Sequence, residues 1–235
     1  MTEPPDPDRP EPAPDHLGHR QRLRDRFLSV GGEKMPDYEL LELVLMMAIP
    51  RVDVKPLAKK LIREFGSFAG VISAPAEALM RVKGVKETTL AALKVVEAGA
   101  VRLAKAEVSE KPLIGSWNAL LDYCRAIMAR SQIEQFRVLF LDRKNRLIAD
   151  EVQQTGTVDH TPVYPREILK RALEHGASAL ILVHNHPSGD PTPSRADIEI
   201  TREVQKAAQA LGVQVHDHLI IGRSGHTSFK SQGLL

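Results

Sequence analysis

Three side chains within residues 179–197 have the types and the spacing of a metal site. His184 and His186 follow the apolar run of residues 179–183, which predicts a buried strand. In extended backbone, residues two apart point to the same side, roughly 6 to 7 Å from each other, so both imidazoles can approach one ion. Asp197 follows the turn HPSGDPTP, and the helix predicted after it can return this carboxylate toward the histidines.

The ligand types favour zinc over other metals. Two imidazoles and one carboxylate leave one of the four zinc positions to water, which is typical of a catalytic site. Magnesium and calcium prefer ligands that are all oxygen. Bound water with its pKa lowered toward ~7 is a nucleophile for amide hydrolysis. We therefore expect one Zn²⁺ per chain, held by His184, His186 and Asp197.

The same residues also have simpler explanations. Ser194 and Asp197 have the spacing of a capping box, which satisfies the first amides of a helix. A His-x-His pair on a strand can consist of one core histidine and one exposed histidine. The combined spacing favours the metal site, and a capping role for Asp197 is compatible with it.

The ligand spacing is also that of a known motif. His184-x-His186, Ser194 and Asp197 resemble the JAMM (MPN+) metalloprotease motif, and the string HNHPSGDPTPSRAD, with DHLIIG downstream, resembles the bacterial RadC family, also called UPF0758. The resemblance covers nearly the whole chain, from GHRQRLRDRF to the SF near the end. It implies zinc on the three ligands and Ser194 placed to hydrogen-bond water or the developing oxyanion.

A JAMM site also needs a glutamate as general base at the edge of the first core strand. Composition and spacing leave Glu134, Glu151 and Glu167 open as candidates. The resemblance selects Glu134, because EQFRVLFLD matches the family's glutamate ahead of its first apolar strand. A solvated residue at a strand edge is the alternative. As a base, the carboxylate would take a proton from water and pass it to the leaving amine.

Two further histidines lie near the C-terminus. His216 and His218 share one face of the strand predicted for VHDHLIIG. The resemblance in DHLIIG implies a structural or supporting role for Asp217 and His218. A satisfied core pair explains these histidines equally well.

The elements that must position these residues divide the chain into two regions. Residues 17–106 have apolar residues at helical spacing and no strand-like run, which predicts an all-α domain. Residues 107–115 lose this periodicity and are expected to be a linker. Residues 116–235 hold four β-rich runs and three predicted helices, so the fold class is mixed α and β. For this part the resemblance implies a JAMM/MPN (cytidine-deaminase-like) curved β-sheet flanked by helices.

Charge is distributed unevenly along the chain. The formal net charge is only +2, yet residues 1–16 carry −4, residues 17–106 carry +6 and residues 107–235 are neutral. Residues 1–16 also hold six of the sixteen prolines and no Leu, Ile, Val or aromatic residue, which predicts a disordered tail. The asymmetry indicates different partners for the different parts.

The basic region contains LMRVKGVKETTLAALKVV, in which a short glycine turn joins two predicted helices. It resembles a helix-hairpin-helix, whose turn amides bind a DNA phosphate without reading sequence. The candidate contacts are Lys83, Gly84, Lys86 and Lys94, although Lys86 replaces the second glycine usual at this hairpin. Non-specific binding of double-stranded DNA would depend strongly on salt. A helical bundle that acts as a scaffold or protein contact is the alternative.

These observations favour a zinc-dependent hydrolase of the JAMM type, acting on a peptide or isopeptide bond of a protein or peptide substrate. The alternative is a DNA-repair or recombination factor that binds nucleic acid without catalysis. The two are compatible if the helical domain tethers a hydrolase to DNA. A non-enzymatic scaffold would be favoured by an incomplete JAMM motif, and here all four positions are filled.

The sequence also indicates the cellular compartment of the protein. No apolar run approaches the ~18 residues that span a bilayer, and the N-terminus lacks the pattern of a signal peptide, so we expect a cytoplasmic protein without a membrane partner. The single cysteine, Cys124, excludes an internal disulfide and a zinc site made of cysteines alone.

Overall fold

The computed structural model describes residues 15–110, 117–156, 163–223 and 225–235. The chain forms two compact units, residues 1–96 and 97–235. Six α-helices lie in residues 15–110: α1 (Asp15–Val30), α2 (Asp37–Ala48), α3 (Lys55–Phe65), α4 (Phe68–Ser73), α5 (Ala76–Arg81) and α6 (Glu87–Glu110). The all-α character predicted for this region is therefore confirmed.

The core of the first unit comes from apolar residues at helical spacing. Leu41 and Leu45 of α2 are fully buried together with Leu61 of α3 and Leu79 of α5. Gly66 ends α3 in a conformation with φ of +84°, which glycine adopts without strain.

Two expected boundaries differ from the structure. The helix α6 continues to Glu110, so the predicted linker of residues 107–115 begins inside a helix, and residues 111–116 lie outside the described residues. The boundary between the two units also falls within α6, after Val96. Helix α1 begins at Asp15, one residue before the expected end of the tail at residue 16, and residues 1–14 lie outside the described part.

The second unit is built on a mixed five-stranded sheet, and the predicted α and β class is confirmed. Its order is β2-β1-β3-β4-β5, in which only β3 and β4 are parallel. Parallel neighbours need a crossover, which α9 supplies. The elements are α7 (Trp117–Met128), β1 (Glu134–Leu141), β2 (Leu147–Gly156), α8 (Pro165–Glu174), β3 (Ala179–Asn185), α9 (Arg195–Ala210), β4 (Gln214–Ile221) and β5 (His226–Ser228).

Helices cover both faces of this sheet. Because strand side chains alternate, Ile181 and Val183 pack in a cluster with α7, whereas Leu180 and Leu182 pack in a cluster with α8 and α9. Every residue of β3 is buried as a result, which accounts for the continuous apolar run of residues 179–183. His184 continues the alternation of Leu180 and Leu182 and so points to the side where α9 lies.

Within the described residues, every helix is too short or too polar to serve as a membrane span.

Candidate metal centre

The three predicted ligands come together at the carboxyl end of β3. His184 is the buried penultimate residue of this strand, and half-buried His186 is the first residue after the strand ends at Asn185. Their Nε2 atoms are 3.0 Å apart. Asp197 Oδ1 lies 3.3 Å from His184 Nε2, and Asp197 Oδ2 lies 3.6 Å from His186 Nε2. In the described residues this trio is the one group of histidine, cysteine and carboxylate side chains arranged to hold a metal ion.

The hydrogen bonds of His186 show which of its nitrogens is free for a metal. Its Nδ1 lies 2.7 Å from the backbone carbonyl oxygen of Asp190, which can only accept a hydrogen bond. Nδ1 therefore carries the proton in the neutral ring, and Nε2 presents a lone pair toward His184. The nearby Asp197 carboxylate favours the protonated form of this ring and so raises the pKa of His186, an effect that burial opposes.

The spacing of these donors fits a zinc ion. Nitrogen and oxygen ligands lie about 2.0–2.2 Å from zinc, so two tetrahedral ligands are separated by roughly 3.3 Å. The separations of 3.0, 3.3 and 3.6 Å are close to this value. An imidazole lone pair and a carboxylate directed at one point are stabilised by a cation, and the mixed nitrogen and oxygen set suits zinc.

Asp197 forms the predicted capping box and also lies beside the two histidines, so the two roles that the sequence left open are compatible. It is the third residue of α9, where its carboxylate accepts a hydrogen bond from the backbone amide of Ser194, while Ser194 Oγ accepts one from the Asp197 amide. Burial raises the pKa of Asp197, but the two adjacent histidines, whose protonated forms attract the carboxylate, outweigh burial and hold the pKa well below its ordinary value. The capping box thus fixes an ionised carboxylate beside the histidines.

A pocket of about 540 Å³ opens at the three ligands. Phe136, Val163 and Ile200 give it an apolar wall. Its charged lining consists of acidic residues, with Glu199 and Glu203 of α9 at the exposed side, and no lysine or arginine lines it among the described residues. A metal ion at the three ligands would therefore face an open cavity with room for a substrate.

Glu134 lines the same pocket and is half-buried at the first position of β1. The Asn185 side chain holds the backbone on either side of this glutamate. Its Oδ1 accepts a hydrogen bond of 2.9 Å from the amide of Gln135, and its Nδ2 donates one of 3.2 Å to the carbonyl of Ile133. Nothing local in the sequence indicates this role of Asn185, because the role depends on which strand pairs with β3.

We expect Asn185→Ala to displace Glu134 without removing the metal ligands. Loss of the fully buried Asn185 amide would leave the Gln135 N–H without its acceptor. An unsatisfied buried donor of this kind lowers the unfolding free energy by about 1–3 kcal/mol. Denaturant unfolding checks this magnitude. Zinc titration checks that affinity stays within about threefold, because the side chain of Asn185 hydrogen-bonds to Gln135 and Ile133 and not to a predicted ligand. Loss of zinc binding in a folded variant would contradict this assignment.

Ser194 lines the pocket at its exposed side. Its oxygen accepts the Asp197 amide at 3.1 Å, and a hydroxyl that accepts one hydrogen bond can still donate its own hydrogen. Donation of the Ser194 hydroxyl hydrogen to an oxyanion in the pocket is compatible with this geometry and stays a prediction.

The other two candidates for the base lie elsewhere. Glu151 of β2 accepts hydrogen bonds from Arg171 and His175, and the hydrogen bond from Arg171 lowers its pKa to about 2. Glu167 is exposed on α8 beside Arg166. Neither residue lines the pocket, so Glu134 is the one of the three candidates that does.

The two histidines of β4 both have hydrogen-bond partners, and the partners differ. His216 Nε2 lies 2.6 Å from Asn145 Oδ1, far in sequence from the ligands. Fully buried His218 lies 2.8 Å from His184 Nδ1 through its Nε2. Asp217 accepts hydrogen bonds from the amides of His218 and Lys230 and so anchors the C-terminal segment.

The candidate DNA contacts lie in the first unit. Lys83, Gly84 and Lys86 are exposed in the turn between α5 and α6, where Gly84 has φ of +109°. Lys94 lies elsewhere on α6 and donates hydrogen bonds to the carbonyls of Ile72 and Ala74, so its ammonium caps the end of α4. The structure thus keeps three of the four candidates together at the turn and gives Lys94 a structural role.

A five-stranded mixed sheet flanked by helices, with a His-x-His pair at the end of a strand and an aspartate on the next helix, is the arrangement of a JAB (JAMM/MPN) domain. Comparison with protein families agrees. Residues 114–234 match a RadC-like JAB domain, and residues 15–91 match the family described as UPF0758 N-terminal. The chain belongs to the RadC-like UPF0758 family.

Two relatives are similar along most of the chain. A UPF0758 protein of Rhodobacter capsulatus is 62% identical over 213 residues, which cover 91% of this chain and 100% of the relative. A UPF0758 protein of Ruegeria pomeroyi is 60% identical over 217 residues, or 92% of this chain and 97% of the relative. These names give the family and leave the reaction to be inferred from the site.

Proposed function

We propose that this protein is a zinc-dependent hydrolase of the JAMM metalloprotease type that cleaves a peptide or isopeptide bond. The observation that carries the proposal is one pocket lined by two histidines and an aspartate with the spacing of zinc ligands and by a glutamate, Glu134. Membership in a family with a RadC-like JAB domain supports the same class of chemistry.

Each residue has a definite task in this proposal. His184, His186 and Asp197 would hold the ion, which when bound supplies a Lewis acid and a lowered pKa for water. Glu134 accepts a proton from the attacking water and donates it to the leaving amine. Ser194 donates its hydroxyl hydrogen to the oxygen of the scissile carbonyl as negative charge develops there.

Cleavage of a defined peptide library tests the proposal. Zinc-loaded protein should cleave a subset of peptides, as detected by mass spectrometry, and chelated protein should cleave none until zinc is restored. An isopeptide-linked pair of peptides in the same assay distinguishes the two kinds of bond. Cleavage that persists after complete removal of metal would contradict the proposal, as would a loaded protein that cleaves neither substrate.

We also propose that the first unit tethers the hydrolase to double-stranded DNA through the turn between α5 and α6. The supporting observation is that Lys83 and Lys86 are exposed on either side of Gly84, next to the amino end of a helix of 24 residues. Amides at such an end bind phosphate oxygens, and lysines add charge without sequence preference.

The double variant Lys83→Ala/Lys86→Ala should weaken DNA binding and reduce its salt dependence. Loss of two phosphate contacts lowers the slope of log K against log salt by about 2. Fluorescence anisotropy of a labelled duplex at several salt concentrations measures this slope. The matched control removes the same charge at Lys34 and Lys59, which are exposed outside the turn. Equal slopes for the two double variants would exclude the turn as the contact.

A further inference from the structure

A chain of hydrogen bonds runs behind the metal ligands and joins two of them. The hydroxyl of Thr201 contacts the backbone carbonyl oxygen of Asp197 and lies 2.6 Å from His218 Nδ1. His218 Nε2 lies 2.8 Å from His184 Nδ1. Thr201 and His218 are buried and do not line the pocket, so these contacts are shielded from water and from substrate.

The protons in this chain have one consistent order. A carbonyl oxygen only accepts, so the Thr201 hydroxyl donates its single hydrogen to the Asp197 carbonyl. The hydroxyl oxygen must then accept from His218, which puts a proton on His218 Nδ1. In a neutral ring Nε2 is left as an acceptor, and His184 donates to it from Nδ1.

We propose that Thr201 and His218 are positioning residues that set the tautomer of His184 for metal binding. With its proton on Nδ1, His184 presents the lone pair of Nε2 to the point where the lone pair of His186 and the carboxylate of Asp197 converge. The opposite tautomer would direct a hydrogen at this point. The inference deepens the proposed function and rests on its metal site.

The geometry also restricts rotation of the His184 ring. Phe136 stacks on it, with ring centroids 6.1 Å apart and an angle of 12° between the planes. His218 is itself packed against Phe229 at 4.6 Å. Thr201 lies four residues after Asp197 on α9, so one helix carries a ligand and also the group that orders the protons behind another ligand. Outer hydrogen-bond partners of this kind orient ligand rings and raise their basicity.

The test compares Thr201→Val with Thr201→Ser. Valine has nearly the shape of threonine and lacks the hydroxyl, whereas serine keeps it. We expect Thr201→Val and His218→Phe to weaken Zn²⁺ binding by about 10–100-fold, measured by competition with a chelator, and Thr201→Ser to retain affinity within about threefold. Equal affinity of wild type, Thr201→Val and His218→Phe would overturn the inference.

A second measurement needs no metal. Long-range ¹H–¹⁵N spectra of the zinc-free full chain report which ring nitrogen carries the proton. We expect His184 as the Nδ1–H tautomer in wild type and in Thr201→Ser, and a mixture of tautomers in Thr201→Val. A His184 proton on Nε2 in the wild type would overturn the inference. Wild-type protein that binds no Zn²⁺ would instead contradict the proposed function, so the two failures are distinguishable.

Discussion

Glu134→Gln should bind zinc as tightly as the wild-type protein and hydrolyse peptides about 10²–10⁴-fold more slowly, the range that general acid–base catalysis supplies. Glutamine has nearly the same shape as glutamate but cannot accept the proton of water. Because Glu134 is not among the three clustered ligands, its replacement leaves the metal affinity unchanged. Rates on a cleaved library peptide and zinc titrations of both proteins measure the two effects separately.

The matched control is Glu167→Gln, which makes the same chemical change on the exposed surface of α8, outside the pocket. This variant should keep both the wild-type rate and the zinc affinity. If Glu134→Gln keeps the wild-type rate, Glu134 is not the base. If it loses zinc instead, the carboxylate is a ligand and the assignment of three ligands is wrong.

Asp197→Asn should lower zinc affinity by more than about 100-fold, because loss of an outer partner alone costs up to that much and here a charged ligand is lost. Stability without metal should fall only by the lost attraction between this carboxylate and the two histidines, because the helix cap is kept. The asparagine side-chain oxygen can still accept the hydrogen bond from the Ser194 amide, so the capping box keeps its acceptor. Zinc titration and denaturant unfolding of the metal-free protein test the two statements.

Ser194→Ala makes the complementary change. It removes the oxygen that caps the Asp197 amide and should reduce unfolding free energy by about 1 kcal/mol. All three ligands remain, so zinc affinity should stay near that of wild type. If Asp197→Asn, which keeps the helix cap, binds zinc as tightly as the wild type, Asp197 is not a ligand.

Much of this site could be predicted from the sequence because it is encoded by short spacings. The alternation along β3 placed His184 and His186 on one side of a strand, and the four-residue capping pattern placed Asp197 at the start of α9. Each depends on local backbone geometry only. The selection of Glu134 came from the family resemblance, since local spacing did not distinguish it from Glu151.

The remaining features depend on contacts between distant residues. The site's supporting hydrogen bonds come from Asn185 through the pairing of β3 with β1, and from His218 and Thr201 through the pairing of β3 with β4 and the packing of α9. Neither strand pairing nor helix packing has a local signal in the sequence. The sequence indicates only that Lys94 is a cation on a helix. Its contact with the end of α4 depends on how the helices pack. The helical boundary near residue 107 was misplaced because α6 continues without a strong apolar period.

The most direct test of the account is X-ray absorption at the zinc edge of purified wild-type protein, together with its zinc content. We predict about one zinc per chain, bound by two imidazoles and by oxygen ligands at about 2.0–2.2 Å, with a position open to water. A protein that takes up no zinc at neutral pH would contradict the account. So would a site that Asp197→Asn leaves spectroscopically unchanged.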